Sequence, residues 1–212
     1  QFSSERVVGD RFFLMPHAFA FVDPLFSSGL GVSMGAINGM AWRLIAAAKK
    51  DGDYSAERFA PVEERVKHNF DYFDRLISRS YVAFSDFDVW NAWYKVWLLA
   101  GLYGAAGMLD VLGAYYRSGD VASLELCEEP PYNYIQASQM PLYSPVFDAA
   151  CEEIDAFEQG KQPAAETARH IFDIVAKSNL WPKPWGGPER RHPGIFTVPN
   201  LVPLIAWIKR GA

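Results

Sequence analysis

Hydrophobic positions recur at helical spacing over most of the chain. From Phe59 to Ile77 apolar residues return every three or four positions, and charged residues fall mostly between them. This spacing predicts one long amphipathic helix. By contrast, the short run Arg11-Phe12-Phe13-Leu14-Met15 predicts a buried strand, which Pro16 ends. The pattern therefore indicates a mainly α chain with one short N-terminal strand.

Start and stop signals bound the other predicted helices. Serine and aspartate cap helix starts, proline suits the first helical position, and glycine ends helices. The first predicted helix begins at Ser27 or Ser28, runs to about Lys50 and is ended by Asp51-Gly52-Asp53; the second runs from about Val89 to Tyr116, is capped by Asp86 or Asp88 and is ended by Ser118-Gly119. A third begins at Ser144-Pro145, with Ser144 as the cap, and ends at Gly160. A fourth opens at Pro163, with Ala168, Ile171, Phe172 and Val175 facing inward, and a short last one covers about Leu201 to Lys209. Residues Cys127 to Tyr143 are rich in proline and tyrosine and are predicted to be irregular.

A lone strand leaves backbone hydrogen-bonding groups without partners, so a sheet should be supplied from elsewhere. The chain starts at Gln1, shortly before the predicted strand. We therefore expect a fragment of a longer protein. No second hydrophobic start occurs along the helices, so the fragment is expected to form one structural unit.

Gly31, Gly35 and Gly39 share one face of the helix predicted after Ser28. Each glycine costs a helix about 1 kcal/mol relative to alanine, so this face should meet another backbone, a flat ligand or a membrane helix partner. The apolar runs 30–42 and 96–109 fall short of the roughly 20 residues that a bilayer needs. We therefore expect buried helices of a soluble core and no membrane partner.

Composition and charge narrow the possible partners. Half of the 212 residues are hydrophobic, 15% are aromatic, and the net charge is −5. A mildly acidic chain without a basic run is a poor partner for nucleic acid or an anionic membrane. Cys127 and Cys151 match no zinc or redox motif, and the four histidines are isolated, so neither a metal site nor a disulfide framework is expected. A cytoplasmic location follows as the expectation.

The loop from Asp23 to Gly29 lies between the strand region and the glycine-faced helix. Backbone N–H groups at Ser28, Gly29 and Leu30 have no intrahelical partner at a helix start, and the helix dipole favours an anion there. The small residues beyond would let a flat ring approach. The loop suits a cofactor with a polar, electron-accepting edge, and it equally suits a capped core helix preceded by a proline turn.

The segment from Pro16 to Gly29, with the core Asp23-Pro24-Leu25-Phe26-Ser27-Ser28-Gly29, resembles the second flavin-binding segment of flavin-dependent halogenases. These enzymes form a tryptophan halogenase-like family with a glutathione-reductase type FAD fold. The resemblance is sharp from about Arg11 to Arg43. It implies that residues 1–52 end an α/β FAD-binding domain, whose sheet the strand would join, and that residues 53–212 form its helical C-terminal region.

The resemblance implies an FAD-dependent oxidoreductase that halogenates an electron-rich aromatic small molecule. Its cosubstrates would be oxygen and chloride or bromide, with reduced FAD supplied by a flavin reductase. Halide would bind at Ser28-Gly29, and the cofactor would contact six residues. These are His17, Asp23, Pro24, Ser27, Gly29 and Leu30. The family's catalytic lysine and dinucleotide loop lie upstream, so we expect no catalytic residue in this chain and no activity from it alone.

Two positions depart from the family pattern. Pro16-His17 stands where many members have Gly-Asp beside the flavin ribityl chain, so His17 contacts either the flavin or nothing. Phe26 stands where tryptophan-specific members have glutamate, which favours phenols, pyrroles or carrier-bound substrates over free tryptophan. Phe26 could line an aromatic substrate pocket with Trp90, Trp93 and Trp97, although an aromatic cluster at helical spacing is more often core.

Three other functions remain open. Gly31-Val32-Ser33-Met34-Gly35 fits the Gly-x-Ser-x-Gly motif of esterases, but this motif needs a strand directly before it and further strands after it. A flavin monooxygenase or reductase of the same fold would use the same cofactor without halide. A non-catalytic helical interaction fragment would use no cofactor at all.

Overall fold

The computed structural model describes residues 2–26, 29–125 and 141–191. By its internal contacts the chain divides into two compact units, residues 1–78 and 79–212. The assignment of residues 1–52 and 53–212 to parts of a larger protein stays a prediction. The predicted irregular segment from Cys127, apart from a turn at 141–143, and the predicted helix from Leu201 lie outside the described residues.

The first unit begins with four two-residue strands and a short helix. The strands are β1 (Phe2–Ser3), β2 (Val8–Gly9), β3 (Phe12–Phe13) and β4 (Ala20–Phe21), and helix α1 (Pro16–Phe19) separates the last two. Strand β1 pairs with β4 and β2 pairs with β3, both antiparallel. The predicted strand is present over two residues as β3, but it is not buried, since Phe12 is 49% exposed and Phe13 is half-buried. Pro16 opens α1. The expectation that this strand lacks a partner within the chain was wrong, because residues 8–9 supply one through a tight hairpin.

Two long helices complete the first unit. Helix α2 (Gly29–Ala46) continues as a π-helical turn (Ala47–Asp51), which Gly52 ends with a left-handed φ of 69°. Helix α3 (Ala56–Ala83) is the predicted amphipathic helix, and its Phe59, Val62 and Val66 are buried. These side chains pack in one core with residues of β2, α1 and α2, so the helices hold the strand region in place.

Buried or partly buried polar groups join α3 to the rest of the first unit. The Val7 N–H donates to Glu63 Oε1 at 3.2 Å, and the guanidinium of Arg65 donates to the carbonyl oxygen of Gly35. Arg65 is buried, so this bond gives its guanidinium a hydrogen-bond partner in place of water. The contact fixes the relation of α2 and α3, between which the candidate site lies.

The second unit is a helical bundle around α4 (Phe87–Ser118). The carboxylate of Asp86 caps this helix by accepting from the N–H groups of Asp88 and Val89, and Gly119 ends it at a φ of 68°. Helices α6 (Ser144–Glu158) and α7 (Ala164–Lys177) pack against it, and α5 (Ala122–Glu125) follows it. The positions of α4, α6 and α7 agree with the prediction, whereas the short α5 was not predicted. Tyr143 rather than Ser144 occupies the cap position of α6.

Helix α4 changes the argument about membranes. In the sequence the apolar run 96–109, which Asp110 interrupts, was too short to cross a bilayer. The helix itself continues through Asp110 and has 32 residues. In length and composition α4 therefore meets the criteria for a membrane-crossing helix. Core helices meet the same criteria, and the first half of α4 is buried at residues such as Ala92, Val96 and Leu99. Its second half is not, since Leu109 is 70% and Tyr116 is 82% exposed, so the predicted burial holds for the first half only.

Candidate functional site

A pocket of about 90 Å³ lies in the first unit, between the α1–β4 segment on one side and α2 and α3 on the other. Of the residues predicted to contact a cofactor, the structure brings four to this pocket: His17, Asp23, Pro24 and Gly29. The remaining lining is almost wholly apolar. The loop singled out in the sequence therefore forms one wall of a real cavity.

The loop conformation follows from its own side chains. Asp23 Oδ1 accepts from the Leu25 N–H at 3.1 Å, which closes an Asx-type turn around Pro24. Proline at the middle position restricts φ and stiffens the turn. Gly29, the first residue of α2, also lines the pocket, so the start of this helix borders the cavity.

His17 and Gly29 lie against each other at the pocket. A Cβ atom built onto Gly29 would come within 2.6 Å of His17 Cε1 and 3.0 Å of His17 Nε2. Only a glycine therefore leaves room for the imidazole in its present position. The sequence left open whether His17 contacts a ligand or nothing, and the structure places it on the pocket wall beside the helix start.

The opposite wall comes from α3 and was missed in the sequence. One face of α3 lines the pocket with four residues at i, i+3, i+4, i+7 spacing: Val66, Asn69, Phe70 and Phe73. Phe70 meets Phe19 edge to face, with ring centroids 6.0 Å apart. A signal was available, because Asn69 is a polar residue within the apolar stripe of this helix.

Several predicted site residues lie elsewhere. Leu30 is 72% exposed and does not line the pocket, and Phe26 is half-buried and does not line it either. Ser27 and Ser28 are outside the described residues, so the halide contact stays a prediction. The three tryptophans belong to the second unit, where Trp93 is fully buried and Trp90 and Trp97 are half-buried.

The structure also bears on three other features considered in the sequence: the esterase motif, a metal site and the glycine face of α2. Ser33 lies inside α2, whereas the esterase motif requires its serine at a sharp turn between a strand and a helix. Along 2–26, 29–125 and 141–191, no three His, Cys, Asp or Glu side chains come together as a metal site would require. Around Gly31 and Gly35, no described atom would touch an added Cβ. Within the described part of the chain, then, no element makes the close approach that these glycines allow.

The pocket is small and mainly apolar. Its lining is aromatic and aliphatic apart from His17, Asp23 and Asn69, and Gly29, the first residue of α2, also lines it. Its volume is well below the roughly 300 Å³ at which typical ligand sites begin. The described residues thus form a small apolar pocket with a few polar groups beside a helix start.

Comparison with known proteins identifies the class. No protein-family model matches the chain. Tetracycline 7-halogenase of Kitasatospora aureofaciens is 35% identical to it over 98% of the chain and 37% of that enzyme. Monodechloroaminopyrrolnitrin halogenase PrnC of Pseudomonas fluorescens is 36% identical over 82% of the chain and 31% of that enzyme. The chain thus spans about a third of the length of these relatives.

A solved structure agrees in fold. Halogenase PltM, crystallised in complex with phloroglucinol and FAD, superposes with a TM-score of 0.77 at 32% identity, over 84% of this chain and 35% of that protein. The chain is a homologue of the flavin-dependent halogenases, which confirms the resemblance drawn from Pro16 to Gly29. The mainly helical fold with few short strands agrees with that assignment.

Proposed function

We propose that the protein is an FAD-dependent halogenase and that this chain supplies one wall of its flavin site. The observation that carries the proposal is the pocket, which joins the turn at Asp23-Pro24, the imidazole of His17 and the start of α2 at Gly29. The homologues are halogenases, and PltM was crystallised with FAD. A cytoplasmic location, which suits two cysteines without a disulfide motif, is part of the same proposal.

The residues present fit such a cofactor. Gly29 leaves the space that a side chain would fill, and the aromatic rings of Phe70 and Phe73 offer apolar surface to a flat ring. The first N–H groups of α2 favour negative charge at the pocket edge. When bound, FAD would supply the oxidising chemistry of halogenation.

The chain's own groups would bind and orient the cofactor and would exclude water from it. His17 and Asp23 would border the polar side of the ring, while Pro24 would hold the turn rigid beside it. Chloride or bromide would bind at the backbone N–H groups of Ser28 and Gly29, where the helix start stabilises an anion. The carboxylate of Asp23 already accepts the Leu25 N–H, so its first contribution is to hold this turn.

The substrate class follows from the relatives and from Phe26. The names of the relatives include a tetracycline, an aminopyrrolnitrin and a pyrrole-2-carbonyl group on a peptidyl-carrier protein. Phe26 stands where the resemblance places glutamate in tryptophan-specific enzymes. We therefore infer a phenolic or pyrrolic substrate, free or carrier-bound, and a separate flavin reductase as the source of reduced FAD.

The full-length protein provides the test. It is incubated with a flavin reductase, FAD, NADH, oxygen and either bromide or chloride, together with phenolic, pyrrolic and indolic probes. Mass spectrometry should show halogenated phenol or pyrrole with the isotope pattern of the halide supplied. Hydroxylated products without halogen would contradict the proposal and identify a monooxygenase. Failure of the protein to bind FAD would leave the helical interaction function.

Gly29→Ala in the full-length protein should weaken FAD binding about tenfold, or ~1.4 kcal/mol. The added Cβ must push the imidazole of His17 out of its place beside the helix start. Because the displaced atoms are the far end of an exposed side chain, the free energy of unfolding should change by less than about 1 kcal/mol. Fluorescence titration with FAD and thermal unfolding measure the two quantities.

The control for Gly29→Ala is the same substitution in a His17→Ala background. If the affinity loss acts through the imidazole, the second substitution should cost nothing further, since nothing remains for the Cβ to displace. An equal loss in both backgrounds would show that the methyl group obstructs the ligand directly. FAD affinity unchanged by Gly29→Ala would contradict the role of this contact.

A further inference from the structure

Asn69 is a buried polar residue in the α3 wall of the pocket. Its exposed fraction is 4%, and it lines the cavity beside Val66 and Phe70. With the residues in 2–26, 29–125 and 141–191 its carboxamide forms no hydrogen bond. The amide atoms of Asn69 are not fully enclosed by the protein, so they face the cavity that the residue lines. A ligand or water in the cavity can therefore pair with them.

The other buried polar side chains of α3 form hydrogen bonds with described residues. Arg65, at 3% exposure, donates to the carbonyl of Gly35, and Ser80, at 0%, accepts from Trp93 Nε1 at 2.8 Å. Native structures pair nearly all of their buried polar groups, so a largely buried amide that opens onto a cavity is placed to pair with a molecule in that cavity. The position of Asn69 on a cavity wall meets this condition, because a ligand in the cavity would come within its reach.

We propose that Asn69 is a ligand-binding residue whose carboxamide hydrogen-bonds the polar edge of the flavin ring. This inference rests on the proposed function. A carboxamide presents a donor and an acceptor side by side. The pyrimidine edge of a flavin presents carbonyl oxygens beside an N–H, so the two groups are complementary. Phe70 and Phe73, on the same face of α3, leave Asn69 as the one polar side chain of this wall.

The consequence is a pair of effects with opposite signs. In the protein without FAD, leucine at position 69 removes an amide that forms no hydrogen bond with the described residues and keeps a similar volume, so stability should stay equal or rise. With FAD, the same change removes a hydrogen bond and leaves the ring edge unpaired, so affinity should fall. A residue with a merely structural role would lower stability in the FAD-free protein as well.

The experiment compares Asn69→Leu with wild type in the full-length protein. FAD-free samples are unfolded thermally, and FAD is titrated by flavin fluorescence and absorbance. We expect an unfolding midpoint equal to or above that of wild type, affinity for FAD reduced about tenfold, and a shift in the visible absorption bands of the bound flavin. Asn91→Leu, at a half-buried asparagine of α4 that does not line the pocket, is the matched control and should leave FAD affinity unchanged.

The outcomes separate this inference from the proposed function. Wild-type affinity and an unshifted spectrum in Asn69→Leu would overturn the role of Asn69 while leaving the flavin site in place. A lowered unfolding midpoint in the FAD-free variant would overturn it too, since the amide would then have a structural partner. Wild-type protein that does not bind FAD would overturn the proposed function, and this inference with it.

Discussion

Trp93→Ala is expected to lower the free energy of unfolding by about 3–5 kcal/mol, the range for deleting a large core aromatic. The indole of Trp93 is completely buried and packs against Phe147, with ring centroids 5.9 Å apart. Its Nε1 also donates to Ser80 Oγ at 2.8 Å. The substitution removes both contacts and leaves a cavity in the core of the second unit. Denaturant unfolding followed by circular dichroism measures the loss.

Two further variants separate the contribution of the buried indole volume from that of the hydrogen bond. Trp93→Phe keeps most of the volume and loses the hydrogen bond, so its loss should be smaller. Trp90→Ala removes a half-buried indole that contacts Phe84 and Tyr94 without this bond, and should cost clearly less than Trp93→Ala. A Trp93→Ala protein of normal stability that no longer binds substrate would instead support the pocket role that the sequence suggested for Trp93.

Lys95→Met should raise the free energy of unfolding at neutral pH by about 1–3 kcal/mol, since it removes a buried charge that no carboxylate of the described residues neutralises. Lys95 is 1% exposed, and its ammonium lies over the rings of Tyr94 and Trp181 at 5.4 and 5.9 Å. Among the described residues no carboxylate pairs with it. Methionine has a similar length and keeps contact with both rings without a charge. Chemical denaturation at pH 7 measures the change.

The pH dependence gives a second measurement of Lys95. Burial lowers the pKa of Lys95 below its ordinary value of 10.5. Between the folded and unfolded pKa values the unfolded chain holds the proton that the folded chain has lost, so the stability of the wild type should rise with pH there. Lys95→Met should lack this rise. The range is kept below about pH 10, because burial raises the pKa of Tyr103 and ionisation of the unfolded chain then lowers stability.

Lys161→Met provides the control, because Lys161 is exposed in the same unit. Its stability should stay within about 0.5 kcal/mol of wild type, with the same dependence on pH. A Lys95→Met protein less stable than wild type would show that the ammonium, through the two rings, stabilises the fold more than its burial costs.

Most helices were predictable because their signals are local. Asp86 caps α4 through the bonds that a helix start leaves open, and Gly52 and Gly119 end helices by adopting a positive φ. The amphipathic stripe of α3 follows from spacing alone. The partner of β3 was not predicted, since a two-residue strand at Val8–Gly9 is too short to show alternation.

The candidate site was predictable on one side only. The turn at Asp23-Pro24 and the helix start at Gly29 lie a few positions apart, so the sequence itself predicts either an anion- and ring-binding segment or a capped core helix there. Asn69 lies forty residues beyond Gly29, and nothing local shows that it reaches the same pocket. Trp93 shows the reverse case, because an aromatic side chain suits a pocket or a core equally until its burial is known.

The sequence by itself determined the helical class of the chain, the ends of its main helices and the flavin-type segment from Pro16 to Gly29. These depend on contacts between residues a few positions apart. Only the tertiary structure decided that His17 lies against Gly29, that α3 closes the pocket with Asn69, and that Lys95 is buried between aromatic rings. Such contacts join distant segments through packing, and packing depends on the shape of the whole unit rather than on any local pattern.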